Sequence, residues 1–329
     1  MPEPRGCGGC RLIHYRRFRN SDPPHLFELC RQIELGRGAA QPAAIDAFEV
    51  AVYSLPYFDP DGLIIAEDDG KVVGFVHAGF GFSEDLNSID KSRGVICWLV
   101  VRHDYQHRGC GRELLAQAER YLLERGVKSL QAGQSRYCDP FYFGLYGGAK
   151  CSGFLESDEK AGPFLQKAGY QPTEKTLVLQ RDLKSSRDPM NIKLMGLRRR
   201  SELLVMEQPE QPTMWWLTHF GNIESMYFCL VDKKSKSRIA SLTVVGLDHY
   251  LTKWHERVIG LVDVYVEQEY RGQGFTTTLV LETLKRLRSD FITRAEIHVP
   301  EDLQTMRTSI NTAGFTPVDA SIVYTKPVR

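Results

Sequence analysis

Leu99-Val100-Val101-Arg102-His103-Asp104-Tyr105-Gln106-His107-Arg108-Gly109-Cys110-Gly111-Arg112-Glu113-Leu114-Leu115 carries an apolar run into a glycine-rich turn and out again into a second apolar pattern. The run begins at Val95 and is β-prone, while Leu114, Leu115, Ala118, Tyr121 and Leu122 recur at helical spacing until Gly126 breaks the pattern. A strand that ends in closely spaced glycines and feeds a helix aims several backbone N–H groups at one point, with the positive end of the helix dipole behind them. Such a turn is a phosphate cradle. Glycine serves because a side chain would block the approach of a pyrophosphate and because these turns often take positive φ. Two rival motifs fail here. A Walker loop requires Lys-Ser/Thr directly after its glycines, and a dinucleotide fingerprint requires a third glycine where Leu114 stands.

The same order of signals returns later in the chain. Leu261 to Val266 reads as a strand, Arg271-Gly272-Gln273-Gly274-Phe275-Thr276 as the turn, and Leu279, Val280, Leu284 and Leu287 as the face of a helix. Each turn is preceded by a hairpin signal. In the first half Leu63–Ala66 and Lys71–Val76 flank Glu67-Asp68-Asp69-Gly70, and in the second Met226–Val231 and Ile239–Val245 flank a Lys/Ser-rich turn. After the first helix come a strand over Val127–Gln131, a short helix near Gly162–Ala168 and a strand around Thr176–Leu179. A repeat of this length exceeds the ~20–50 residues of a solenoid unit and means duplicated domains. A chain of 329 residues agrees, since a single core rarely grows beyond ~250–300. Lys184-Ser185-Ser186-Arg187-Asp188-Pro189 is polar and proline-terminated, so we place a first domain at 11–183, a linker at 184–190 and a second domain at 191–329, both mixed α/β.

Composition bounds the function. A net charge of +1 with 25% charged residues lacks the basic excess of a nucleic-acid binder. Arg198-Arg199-Arg200 and Lys233-Lys234-Ser235-Lys236 read as solvated surface, because no aromatics are interleaved with them. No apolar run approaches the ~20 residues of a membrane span, and the start lacks the apolar core of a signal peptide, so the expectation is a cytoplasmic protein without a membrane partner. The eight cysteines follow no regular spacing, and Cys7-Gly8-Gly9-Cys10 has no second half-site, so neither a disulfide framework nor a metal site is expected. Trp215-Trp216 reads as core at a domain interface.

What Gln106-His107-Arg108-Gly109-Cys110-Gly111 does satisfy is Q/R-x-x-G-x-G/A, and in this the chain resembles the GNAT superfamily of N-acetyltransferases. Leu99 and Val101 alternate on the strand before the turn as in that family, and Ala168-Gly169-Tyr170 is similar to its Gly-aromatic ending. The second half is similar through Val264, Val266, Arg271, Gly272, Gln273 and Gly274, with Thr276 in place of the final small residue, and through Ala313-Gly314-Phe315. The resemblance implies two tandem folds, each a twisted, V-splayed mixed sheet flanked by helices. It implies acetyl-coenzyme A, or another acyl-coenzyme A, as co-substrate, with pantetheine along Leu99–Val101 and pyrophosphate on Gln106, His107, Arg108, Gly109, Cys110, Gly111 and Arg112. A second cofactor site would use Val266 and Arg271–Gly274. The implied reaction is transfer of the acetyl group to a small-molecule or peptide amine by direct attack in a ternary complex.

Catalytic groups are harder to place. Removing the amine's proton needs a base, and protonating the departing thiolate needs an acid. Family members often use a strand carboxylate and a tyrosine in the last helix, but here Cys97 and Trp98 occupy the strand and Leu165 the helix position. In the second half Asp263 lies on the strand and Ile310 at the tyrosine position. The aromatic segment Asp139–Gly148 offers Tyr142 or Tyr146 as acid, set against the reading that both simply pack over the sheet. Glu84 is the candidate base, set against plain solvation of an exposed loop acid, and His77 is a candidate for the acceptor cleft or a core histidine. Two other functions stay open on these residues: a coenzyme A sensor without catalysis, and the same activity carried by the second half. Cys110, inside the cradle, is not expected to form a covalent intermediate.

Overall fold

Asp69 and Gly70 both take positive φ, 50° and 73°, as a two-residue hairpin turn that matches strand twist requires. The hairpin they close is the start of one continuous sheet. The computed structural model describes residues 13–41, 44–184, 188–189, 192–288 and 292–328. The Cys7–Cys10 pair, Leu12 and most of the expected linker lie outside these residues.

In the first half the order is β1 (His14–Arg17), α1 (Pro23–Gln32), α2 (Asp46–Phe48, continued by a wider helical turn over Glu49–Tyr53), β2 (Leu63–Asp68), β3 (Lys71–Phe82), β4 (Ile89–Val101), α3 (Cys110–Glu124), β5 (Ser129–Ala132), β6 (Phe154–Leu155), α4 (Ala161–Lys167) and β7 (Gln171–Asp182). The second half continues with α5 (Ile192–Arg200), β8 (Ser201–Met206), α6 (Met214–Phe220), β9 (Ser225–Asp232), β10 (Arg238–Gly246), α7 (Leu251–Trp254), β11 (Val258–Val266), α8 (Phe275–Leu287), β12 (Arg294–Pro300), α9 (Gln304–Thr312) and β13 (Thr316–Pro327). The two expected turn-opened helices are α3 and α8. α3 buries Leu114, Leu115, Ala118, Tyr121 and Leu122 on one stripe, and each buried leucine contributes about 1.5–3 kcal/mol.

The sheet runs β1-β2-β3-β4-β5-β13-β7-β12-β11-β10-β9-β8, with β6 beside β13. β4 and β5 are parallel, as are β11 and β12, and the pairs between are antiparallel. The centre of this order is an exchange of strands. β13 lies between β5 and β7, and β7 lies between β13 and β12, so the last strand of each half is inserted into the sheet of the other. The cores follow the sheet: Tyr324 of β13 packs in the first-half core, while Leu179 of β7 packs in the second-half core. A third cluster joins the halves through Phe82, Ala149, Trp215, Trp216, Phe220 and Tyr250. There Trp215 Nε1 donates to Asp139 Oδ1 at 2.9 Å and Trp216 Nε1 to Thr243 Oγ1 at 3.2 Å, so the tandem tryptophans are interface core.

A buried polar knot ties the same junction. Glu296 on β12 accepts from the Ala149 amide (2.9 Å) and Gln180 Nε2 (2.6 Å), and pairs with Arg37 (3.1 Å) and His298 Nε2 (3.2 Å). His298 Nδ1 meets Ser152 Oγ at 2.8 Å, and Ser152 Oγ meets Ser321 Oγ at 2.7 Å. Burial alone would raise the Glu296 carboxyl. The hydrogen bond and charge of the His298 ring, then the Arg37 guanidinium and the Ala149 amide, hold it down to about 2.

Candidate active site

β4 pairs with β5 only from Arg93↔Ser129 to Ile96↔Ala132. Beyond Ile96, β4 runs on to Val101 along β3 alone, and the register shift between His77↔Trp98 and Ala78↔Ile96 marks a bulge at Cys97. The sheet therefore splays into a V from Cys97 onward, with a strand edge able to pair with an extended ligand. The second half repeats this: β11–β12 pairing stops at Leu261↔Ile297, and a bulge follows between Thr243↔Val262 and Ser241↔Tyr265.

At the open end of β4 the chain makes a tight turn over His103–Tyr105 and enters α3. Tyr105 is anchored by its hydroxyl to the Asp68 carboxylate, and Arg102 is held on Asp104 at 2.6 and 2.9 Å. Gln106 Nε2 donates to Val101 O at 2.9 Å, which braces the turn against the strand end. His107 and Gly109 take φ of 60° and 88°, and α3 starts without a side-chain cap, leaving its first amides to a ligand or solvent. A Cβ at Gly109 would meet Arg112 alone, at 3.7 Å, so the space before the amides is open. His107, Arg108 and Arg112 are exposed around it. Lys160, just before α4, reaches across to Gln106 Oε1 at 3.3 Å. A cavity of about 440 Å³ adjoins the turn, lined by Gln32, Ile33, Glu34, Arg102, His103, Gln106 and Lys160.

The second turn has the same skeleton. Arg271 Nε donates to Val266 O at 3.0 Å in the manner of Gln106, and Gly272 and Gly274 take φ of 73° and 101°. Its surroundings differ. A Cβ at Gly274 would come within 3.3 Å of Leu197 and 3.8 Å of Lys193, because α5 lies along α8 and sets these two side chains beside Gly274, fastened by Arg198–Glu282 at 2.5 Å. Gln273 and Thr276 flank it, the first exposed and bonded to Glu269 O at 2.7 Å.

Two segments of the sequence, 33–142 and 198–307, match the acetyltransferase (GNAT) family, and together they span more than half of the chain. The chain belongs to the GNAT acetyltransferase family. An acetyltransferase of Sodalis glossinidius is 30% identical over 118 residues, which cover 36% of this chain and 72% of that protein. An uncharacterized N-acetyltransferase of Archaeoglobus fulgidus is 35% identical over 81 residues, 24% of this chain and 54% of the relative. In fold, the acetyltransferase is similar to a tandem GNAT protein from the clavulanic acid biosynthesis pathway, with a TM-score of 0.66 at 15% identity over 96% of this chain and 98% of the other. It is also similar to a GCN5-related glucosamine N-acetyltransferase region of a fungal β-N-acetylglucosaminidase, with a TM-score of 0.70 at 18% identity over 99% of this chain and 39% of that one.

Within this GNAT frame the acid–base candidates scatter. Tyr142, at φ 64°, is buried on Trp98 (ring centroids 4.9 Å), with its hydroxyl 2.9 Å from His77 Nδ1. Tyr146 is buried beside Trp98 and Phe154. Burial pushes both phenols up and pushes His77 down to about 3, so at neutral pH all three are uncharged. His77 stacks on Phe141 at 4.2 Å, inside an aromatic cluster. Glu84 is exposed in the β3–β4 turn, at the opposite end of β4 from the cradle and on the order of 25 Å along the strand from Cys97. That turn instead receives α6, through Trp215 N to Leu86 O at 3.0 Å and Met214 N to Asn87 Oδ1 at 3.2 Å. Cys110 is buried, and burial raises its thiol, which disfavours the thiolate. Asp263 sits in the second bulge at φ 50°, its carboxyl raised by burial. Among the described residues no group of three or more His, Cys, Asp or Glu is placed to hold a metal, and no helix is long and apolar enough to cross a membrane.

Proposed function

We propose that the first half binds acyl-coenzyme A, with acetyl-coenzyme A the simplest donor, and that an amine acceptor attacks the acyl group directly. The contrast between the cradles carries this reading: Gly109 faces open space, whereas Gly274 is packed against α5. The uncapped N-terminus of α3 with Gly109, Cys110 and Gly111 supplies amides for the pyrophosphate, and Arg108, Arg112 and His107 stand exposed beside it. The free edge of β4 over Leu99–Val101 supplies strand-type partners for pantetheine. The donor brings an activated thioester. The chain's own task is to align it with the amine and to manage two protons.

A cleft of about 300 Å³ is lined from both halves, with Tyr57, Phe141 and Phe143 beside Asp46, Glu224 and Asp248. Among the described residues no Lys or Arg lines it, which suits an acceptor that arrives as an ammonium ion with an apolar body. Glucosamine, the acceptor named for the fungal neighbour, is the first compound to try.

A second reading places the chemistry in the other half, on the observation that Asp263 stands in the bulge of β11 with a raised carboxyl. Gly111→Trp and Gly274→Trp separate the two. Titration with acetyl-coenzyme A is expected to lose at least tenfold in affinity for Gly111→Trp and to be unchanged for Gly274→Trp. The reverse pattern transfers the site to the second half.

A further inference from the structure

The exchanged strand β13 brings a tyrosine from the second half into the first-half site. Tyr324 pairs with Ala132, the residue of β5 at which pairing with β4 ends, so it stands at the root of the splay. Its ring belongs to the first-half core and the residue is 5% exposed. The side chain runs toward the start of α4, where its hydroxyl lies so close to Gly162 that a Cβ there would come within 2.8 Å of the oxygen. Two residues earlier, Lys160 bonds Gln106 of the cradle, and two residues later Phe164 would lie 3.5 Å from a Cβ on Gly111. The start of α4 thus closes one side of the groove whose other side is the cradle. Leu165, at the helix position where the family resemblance calls for a phenol, is buried and apolar. Less than one helical turn earlier, Gly162 leaves room, and a phenol from β13 fills it.

We propose that Tyr324, delivered by the exchanged strand, is the proton donor to the departing thiolate in the first-half site. The inference rests on the reading that this half binds acyl-coenzyme A. Burial, with the charges of Glu156 and Asp158, raises the phenol's pKa, so it holds its proton at neutral pH. As an amine nitrogen bonds to the acyl carbon and the electron pair of the broken carbon–sulfur bond stays on sulfur, Tyr324 gives that sulfur its hydroxyl proton. The proton shed by the nitrogen returns through solvent to the phenolate.

Tyr324→Phe keeps the ring and removes the proton. With acetyl-coenzyme A and either glucosamine or hydroxylamine as amine, thiol release is expected to fall about 100-fold or more. The dissociation constant for acetyl-coenzyme A should stay within about twofold and the melting temperature within about 2 °C. A second readout does not depend on turnover. With 3-fluorotyrosine at position 324 of the full chain, the fluorine resonance should shift with coenzyme A and shift differently with desulfo-coenzyme A, because only the former presents sulfur to the hydroxyl. Turnover of Tyr324→Phe within threefold of the parent, or identical fluorine shifts with the two ligands, overturns the role of Tyr324 while leaving the first-half site standing if Gly111→Trp still abolishes binding. Full acetyl-coenzyme A affinity in Gly111→Trp overturns the site itself, and Tyr324 with it.

Discussion

Replacing Glu296 by Gln tests whether the knot at the junction holds the halves together electrostatically. The wild-type carboxylate is fully buried and accepts from Ala149 N and Gln180 Nε2 while facing Arg37 and His298. In Glu296→Gln one oxygen becomes an amide NH₂, and if it takes the Oε2 position it points donors at Gln180 and Arg37. The folded carboxyl titrates at about 2 against an ordinary 4.5. That depression corresponds to about 3 kcal/mol of stability, in line with the ~3–5 kcal/mol lost when a buried pair is broken. A depressed carboxyl favours folding wherever it is ionised in the native state. Its contribution is therefore complete above about pH 5 and is lost as pH falls toward 2. At pH 7 the variant should be about 3 kcal/mol less stable in urea unfolding followed by tryptophan fluorescence, and for a chain of this size its melting temperature should fall by about 4 °C. At pH 3.5 the gap should have narrowed by about 1.5 kcal/mol, because only the parent carries the titrating group. A loss under 1 kcal/mol at pH 7, or a gap that stays constant between the two pH values, refutes the argument.

Gly109→Ala should cost about 1 kcal/mol, from strain at φ 88° rather than from a clash, and should weaken acetyl-coenzyme A binding, as titration calorimetry would show. Cys110→Ala should retain turnover and cofactor affinity, because the thiol is buried and raised; turnover lost with binding intact would restore a covalent role. Leu114→Ala should lose about 2–5 kcal/mol in denaturant unfolding, since the side chain is fully buried on α3. Residues 1–184 expressed alone should fail to give a folded monomer by amide exchange and gel filtration, because β5 and β7 would both lack β13 as neighbour.

The fold was legible where the physics is local. Asp69-Gly70 announced its hairpin because few residues accept positive φ twice in succession. The turn at Gln106–Gly111 announced its helix because the apolar spacing resumes at Leu114. The exchange of β7 and β13 was not legible. A strand's apolar alternation reports that one face is buried, not which neighbour it pairs with, so Thr176–Leu179 reads the same in either sheet. Glu84 is adjacent in sequence to the cradle strand, but β3 and β4 are 12 and 13 residues long and carry the connecting turn to the far end of the sheet. Tyr324 was invisible for the opposite reason: more than 200 residues separate it from the turn it approaches. The only local signal was Gly162, a glycine inside a short helix, where propensity disfavours it and close approach by another group explains it.

Because β13 completes the sheet of the first half, synthesis of that half and its folding are separated in time. On the ribosome, residues 13–182 can collapse around β2, β3, β4 and α3, but the edges of β5 and β7 stay unsatisfied until residues 316–327 have emerged. During that interval the nascent chain carries open strand edges of the kind that recruit chaperones or pair with neighbouring chains.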